Sequence, residues 1–199
     1  MRKILISVTF MVTAIASLSL LTFVPSCVTS NNSSQIGEKM TAARQIFPSA
    51  IAIAEISISQ GARVSGRPDE AKISEIKGDS GLLGYCVESK VVSRSGPFKI
   101  RTLLDPQLYV KQSTVISYPW DRGRDVCKRA FTSQFEGKGP PDPIQLGRDI
   151  DAMTGATISC RVMIDSVRDI IKFLKLANEK QPEKQTGKST SPNQQRQHI

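Results

Sequence analysis

The last part of the chain carries the clearest hydrophobic periodicity. Beyond Ser159, apolar residues recur at helical spacing at Met163, Val167, Ile170, Ile171 and Leu174. Charged residues lie mostly on the other faces, so the pattern predicts an amphipathic helix. Thr157 and Ser159 are both suitable residues to cap its start, and Asn178 is a suitable residue to end it.

The middle of the chain follows the two-residue period of strands. Residues 85–92 are rich in β-forming residues, residues 98–104 alternate between apolar and polar, and residues 109–118 alternate again after the Asp105-Pro106 turn. Three consecutive strands joined by short turns predict an antiparallel meander.

Two further segments carry weaker patterns. Within residues 38–56, Met40, Ala43, Ile46 and Phe47 precede Pro48, which predicts a short helix ended by that proline. Residues 50–58 are apolar and fit either a strand or a second helix.

The apolar spacing of residues 125–135 predicts a helix with Val126, Ala130, Phe131 and Phe135 near one face. The glycines and prolines of residues 137–143 predict an irregular loop. The whole pattern predicts an α+β fold, in which helices pack on one antiparallel sheet in a single domain of residues 38–177. The polar residues 178–199 predict a disordered tail.

The amino terminus bears on the compartment. Arg2 and Lys3 precede an uncharged run that reaches Val24, which predicts an export signal or a membrane anchor. The segment Val24-Pro25-Ser26-Cys27 resembles a lipobox, in which Cys27 would be lipidated. We favour a lipoprotein, and a transmembrane helix within residues 1–27 is the alternative. Both predict an extracytoplasmic domain on a polar tether, residues 28–37.

Composition narrows the possible partners. The net charge is +9 at pH 7, but the cations are dispersed and no basic run occurs, so we expect an anionic membrane surface or an acidic redox partner rather than nucleic acid. With a single histidine and four cysteines, ligands for zinc or haem are few. Once Cys27 is set aside, Cys86, Cys127 and Cys160 allow at most one disulfide, and Cys160 is expected to be a packed side chain.

The stretch Asp151-Ala-Met-Thr-Gly-Ala-Thr-Ile158 places a hydroxyl at the mouth of the last helix. Gly155 can adopt backbone angles closed to other residues, Ala156 adds little bulk, and the first N–H groups of a helix are free to receive an anion. The segment therefore predicts a phosphate site at Thr157. The alternative is that Thr157 only caps the helix.

The same residues resemble a known family. Asp151, Thr154, Gly155, Ala156 and Thr157 match the Asp-x-x-Ser/Thr-Gly-Ala-Thr signature of the FMN-binding domain found in the RnfG and NqrC subunits of ion-translocating redox complexes. Upstream segments follow the order of that domain: Gly84-Tyr85, Gly96-Pro97-Phe98, Tyr118, Arg122-Gly123 and Phe131-Thr-Ser-Gln-Phe135-Glu-Gly137-Lys138. The resemblance covers about residues 80–175.

In that family the last threonine of the signature carries FMN through a phosphoester bond made by a separate flavin transferase. The resemblance implies that this threonine is Thr157, and that Thr154, Gly155, Ala156, Ile158 and Ser159 complete the cofactor site. Asp151 would order the turn or be read by the transferase. Tyr118 and Trp120, near the end of a predicted strand, are candidates to border the flavin ring. Pro119 and Trp120 depart from the His-Glu-Thr-like stretch of the relatives in redox complexes, so membership of such a complex is not implied.

The resemblance implies a membrane-tethered flavoprotein that transfers electrons between a membrane redox partner and a second redox partner, with the cofactor supplying the chemistry. No residue is predicted to be catalytic. One alternative is a flavin-dependent reductase with its own small extracytoplasmic substrate. Another is a non-catalytic exported lipoprotein with the same fold and no flavin.

Overall fold

The computed structural model describes residues 30–56 and 71–179. The predicted leader with its Cys27, and the predicted tail beyond residue 179, lie outside these residues. Within the described ranges, no helix has the length and apolar character needed to cross a membrane.

Five strands form one antiparallel sheet in which each strand pairs with the next along the chain. They are β1 (Ala52–Ile56), β2 (Lys72–Gly78), β3 (Gly81–Ser93), β4 (Gly96–Leu104) and β5 (Val110–Ser117). The predicted meander is confirmed as β3, β4 and β5. The apolar segment after residue 50 is a strand, and β2 was not predicted from the sequence.

Helix α1 (Ser30–Ile46) covers part of one face of the sheet, which we call the α1 face. Ala43 packs there with Ile76, Cys86 and Leu103, all buried. The helix ends before Pro48, as predicted. It begins eight residues before the predicted start at residue 38, within the predicted tether, although the serines and asparagines of residues 30–34 and Gly37 are weak helix formers.

The segment predicted as one helix over residues 125–135 is instead three short pieces: a 3₁₀ helix (Arg124–Cys127), α2 (Arg129–Thr132) and a second 3₁₀ helix (Ser133–Phe135). The break lies at Lys128, whose backbone is extended. Val126 and Phe131 are five residues apart, a spacing that would put them on different faces of a continuous α-helix. The break lets both side chains enter the core, where they are fully buried.

Helix α3 (Thr157–Glu179) packs on the opposite face of the sheet, the α3 face. Its predicted apolar positions are all buried, and Cys160 is fully buried, as expected. Asn178 is the last residue but one of the helix, close to the predicted end. Its side-chain carbonyl accepts a hydrogen bond of 3.4 Å from the Tyr85 hydroxyl, which holds the last turn against β3.

The domain is therefore of the predicted α+β class. Its larger core lies between the α3 face, α3 and the segment of residues 124–150, and its smaller core lies beneath α1. The start of α3 lies at the border of the larger core. The chain that follows β5 contacts it there, through hydrogen bonds described below.

Candidate functional site

The residues before α3 form a tight turn that presents the signature. The Ala156 amide donates to the Met153 carbonyl at 3.0 Å, and Gly155 has a φ of 78°. A non-glycine residue is strained in this left-handed conformation. No atom lies within 4 Å of the position that a Cβ of Gly155 would take, so the turn is open on that side.

Thr157 is the first residue of α3 and does not cap it. The amide of Cys160 donates to the Ala156 carbonyl at 2.8 Å, which makes Ala156 the residue before the first helical turn. Thr157 is exposed, and its hydroxyl makes no hydrogen bond with any described residue. The predicted capping role of Thr157 is therefore wrong, and its hydroxyl is left accessible.

Ser159, the other predicted cap, is buried and is used in a different way. Its hydroxyl lies 3.0 Å from the Tyr118 hydroxyl, which in turn donates to the Arg122 carbonyl at 2.7 Å. Since the tyrosine proton is committed to that carbonyl, Ser159 is the donor of the pair. The first turn of α3 is thereby fixed to the chain that follows β5.

Gly123 lies directly against this pair. With a φ of 80°, it occupies the left-handed region, and a Cβ there would come within 2.6 Å of the Tyr118 hydroxyl and 2.7 Å of the Ser159 hydroxyl. In the sequence, Gly123 is singled out only as part of the resemblance. A glycine between two arginines was the signal that a sharp turn occurs there.

Asp151 is held through its backbone rather than its carboxylate. The Asp151 amide donates to Oε1 of Gln134 at 2.8 Å, and Nε2 of Gln134 donates to the Asp151 carbonyl at 3.2 Å. The Gln134 side chain therefore pairs with the backbone of the signature as a neighbouring strand would. Gln134 lies in the Phe-x-x-Gln-Phe segment of the resemblance, and the structure gives that residue a role that the sequence did not.

Tyr118 and Trp120 differ in their surroundings. Tyr118 is buried and its ring packs against Phe98, with the ring centroids 5.2 Å apart. Trp120 is partly exposed, and its indole nitrogen donates to the Pro97 carbonyl at 2.8 Å. Its ring covers Gly96, where a Cβ would come within 2.2 Å of it. The structure thus connects Tyr118 to the start of α3 and Trp120 to the β3–β4 turn, and their roles beside a flavin ring remain predictions.

The start of α3 fits a phosphate-bearing cofactor. Three N–H groups, from Thr157 to Ser159, precede the first intrahelical hydrogen bond, and Gly155 leaves the approach open. Thr154, Thr157 and Ile158 are all exposed, while Ala156 is buried beneath them. The nearby Cys160 does not compete as a nucleophile, because burial raises the pKa of its thiol.

The family described as the FMN-binding domain matches residues 70–172, more than half of the chain. None of the curated proteins matches the sequence. The matched region runs from the start of β2 through most of α3 and includes the whole signature. The chain therefore belongs to the FMN-binding domain family, and FMN is the cofactor that this membership supports.

Proposed function

We propose that the chain is an extracytoplasmic, membrane-tethered flavoprotein that carries FMN phosphoester-linked to Thr157 and transfers electrons between redox partners. The observation that carries the proposal is the Thr157 hydroxyl, exposed and without a hydrogen bond among the described residues, in the first turn of a 23-residue helix.

The electrostatics of this position suit a phosphodiester, which keeps one negative charge. The free N–H groups at the start of α3 carry the positive end of the helix dipole, which stabilises such a charge by about 0.3–1 kcal/mol. A covalent bond to Thr157 would also prevent loss of the cofactor by dilution in a compartment where it is not resupplied.

The neighbouring residues would keep the anchor in place. Ser159 and Tyr118 fix the first turn of α3, and Gln134 fixes the backbone of Asp151. A flavin transferase must fit the Thr157 hydroxyl into its own active site, and a signature held at both ends presents that hydroxyl in one orientation. Thr154 and Ile158, both exposed, are available for contact with the cofactor or the transferase.

FMN supplies the redox chemistry when it is bound, since it can exchange electrons singly or in pairs. The chain contributes position and surroundings. Trp120 would offer a partly exposed aromatic surface beside the ring, held by its bond to Pro97. The predicted leader and Cys27 would keep the domain near a membrane redox partner.

Mass spectrometry of denatured protein tests the anchor. The full chain, expressed with a flavin transferase and exported, should keep a yellow chromophore and a mass increase on the peptide that contains Thr157. T157V should lose both, because valine has the shape of threonine without the hydroxyl, whereas T157S should retain them. An unmodified wild-type peptide under these conditions would overturn the proposal.

The tether is tested separately by cell fractionation. C27A should release the domain from the membrane fraction if Cys27 is lipidated. Continued attachment of C27A would favour the transmembrane alternative, and release of the wild-type protein would exclude both kinds of anchor.

A further inference from the structure

The hairpin formed by β3 and β4 extends beyond the rest of the sheet. The pairing of β2 with β3 reaches no further than Glu88, and the pairing of β5 with β4 reaches no further than Lys99. Within the described part of the chain, residues 91–98 therefore pair as strands only with one another. These residues, which we call the tip, project past both neighbouring strands.

The outer part of the tip is apolar. Val92 is 66% exposed, the highest value for a large apolar side chain among the described residues. Its cross-strand partner, Pro97, is also exposed. The Trp120 ring covers Gly96 and remains partly exposed, while its indole nitrogen donates to the Pro97 carbonyl at 2.8 Å. The indole N–H therefore needs no water, so the tip can enter a less polar medium without losing this hydrogen bond.

The same end of the sheet is positively charged. Arg94 and Lys99 are exposed, and neither forms a salt bridge with another described residue. Residues 89–100 contain no Asp or Glu. Asp121 is exposed in the segment that follows β5, and its charge is offset by the exposed Arg122 next to it. Exposed apolar groups enter the head-group region of a membrane and cations are attracted to anionic lipids, so the two together suit a membrane surface.

The direction of α1 relates the tip to the start of the domain. Gln35, in the first half of α1, lines a cavity together with Lys99, at the hairpin end of the sheet. Phe47, just after α1, lies against Gly84 at the opposite end. The helix therefore runs away from the hairpin end, and its first residue, Ser30, lies toward that end. An anchor ahead of α1 would be joined to the domain at the same end as the tip.

We propose that the tip binds an anionic phospholipid surface. Val92 and Pro97 enter the head-group region, while Arg94 and Lys99 contact the phosphates of the lipids. The charge of the tip and its apolar side chains thus act on the same partner, and the position of Ser30 lets an anchor and the tip face one membrane together.

The tip is also connected to the start of α3. Phe98, in the tip, packs on the Tyr118 ring with the ring centroids 5.2 Å apart, and the Tyr118 hydroxyl lies 3.0 Å from that of Ser159. Binding of the tip therefore holds Thr157 in a fixed orientation to the membrane. The inference rests on the proposed function, since this orientation matters to a domain that is held near a membrane and exchanges electrons with a partner in it.

Fluorescence quenching in vesicles tests the tip, because Trp120 is the single tryptophan of the chain. The full chain is used without flavin, since a flavin would itself quench the indole. It is reconstituted in vesicles of phosphatidylcholine, with or without phosphatidylglycerol, and all vesicles contain a lipid with a nitroxide on its head group as the quencher. Quenching of Trp120 should be stronger in the vesicles that contain phosphatidylglycerol. Flotation of the same samples measures attachment of the chain.

The double variant R94Q/K99Q should shift the equilibrium between bound and free tip by about 25-fold toward the free tip, because each cation near an anionic surface contributes about fivefold. Its quenching should fall to the level seen without phosphatidylglycerol. The matched control K172Q/K175Q makes the same charge change at exposed positions in the last turns of α3, which lie at the end of the sheet opposite to the tip. This control should be quenched as the wild type is.

The proposal is overturned if phosphatidylglycerol does not increase the quenching of the wild type, if R94Q/K99Q is quenched as the wild type is, or if K172Q/K175Q loses quenching to the same extent. A failure of the proposed tether gives a different result. The wild type then does not float with phosphatidylcholine vesicles, while its quenching with phosphatidylglycerol still reports on the tip. None of these results depends on flavin attachment at Thr157.

Discussion

Replacing Tyr118 by phenylalanine should weaken the joint between β5 and α3 without disturbing the packing of the ring. Y118F keeps the aromatic contact with Phe98 and removes only the hydroxyl, with its 2.7 Å bond to the Arg122 carbonyl and its 3.0 Å bond to Ser159. The Ser159 hydroxyl, in a residue only 3% exposed, then has no partner. An unsatisfied buried polar group costs about 1–3 kcal/mol, so we expect Y118F to lower the free energy of unfolding by about 2 kcal/mol.

The second half of the same test removes the unsatisfied group. S159A takes away the hydroxyl that Y118F leaves without a partner, so the double variant should be less destabilised than the sum of the single variants. For residues that share a hydrogen bond, a coupling of about 0.5–3 kcal/mol is expected, and we expect about 1 kcal/mol here.

Urea denaturation of the protein without flavin, followed by circular dichroism, measures the free energy of unfolding of the wild type, Y118F, S159A and the double variant. The dependence of each free energy on urea should stay constant across the set, since the hydroxyl adds almost no surface. If the effects of Y118F and S159A simply add, the hydrogen bond between the two residues does not contribute as described, and the account of how α3 is fixed is wrong.

Three further predictions concern other parts of the domain. Q134L removes both hydrogen bonds to the Asp151 backbone, so flavin attachment with limiting transferase should become slower. If Q134L is modified at the wild-type rate, Gln134 does not position the signature. G96A places a Cβ within 2.2 Å of Trp120, which should displace the indole into water. The fluorescence of this single tryptophan should then shift to longer wavelength, and an unchanged spectrum would refute the close packing. Of the described cysteines only Cys127 is exposed, so iodoacetamide should modify it first. Partial desolvation of this thiol by the neighbouring chain raises its pKa. The rate should therefore still increase at a pH where an ordinary thiol is fully ionised, and a rate that has levelled off by then would contradict the shift.

Strong periodicity accounts for what the sequence predicted correctly. Every apolar position of α3 that was predicted to face the core is buried, and the alternating residues of β3 to β5 lie in a sheet that helices cover on both faces. Patterns of this length leave few competing structures. In contrast, β2 is seven residues long and has isoleucines at positions 73 and 76, which do not alternate strictly. Ile73 packs in the larger core and Ile76 in the smaller one, so this strand buries isoleucines on opposite faces of the sheet.

The candidate site was predicted in part, for a similar reason. The signature identified Thr157 and Gly155, because a glycine before a helix start has a direct conformational meaning. The Gln134 side chain, by contrast, bonds the backbone of a residue 17 positions away. Such a contact depends on how two loops meet in space, and no local spacing encodes it. The break at Lys128 was not predicted either, because the aromatic residues that follow it have the spacing of residues on one face of a continuous helix.

The two long helices, α1 and α3, lie on opposite sides of one sheet. The sheet therefore stands between the chain that enters α1 and the residues around Thr157. A pull applied at Ser30 is received first by α1 and then by five strands that are hydrogen-bonded in sequence order. Such a layer resists bending, so motion of the chain ahead of α1 reaches Thr157 only as a movement of the whole domain. A protein held from its α1 side could therefore change its orientation freely while the geometry around Thr157 stays constant.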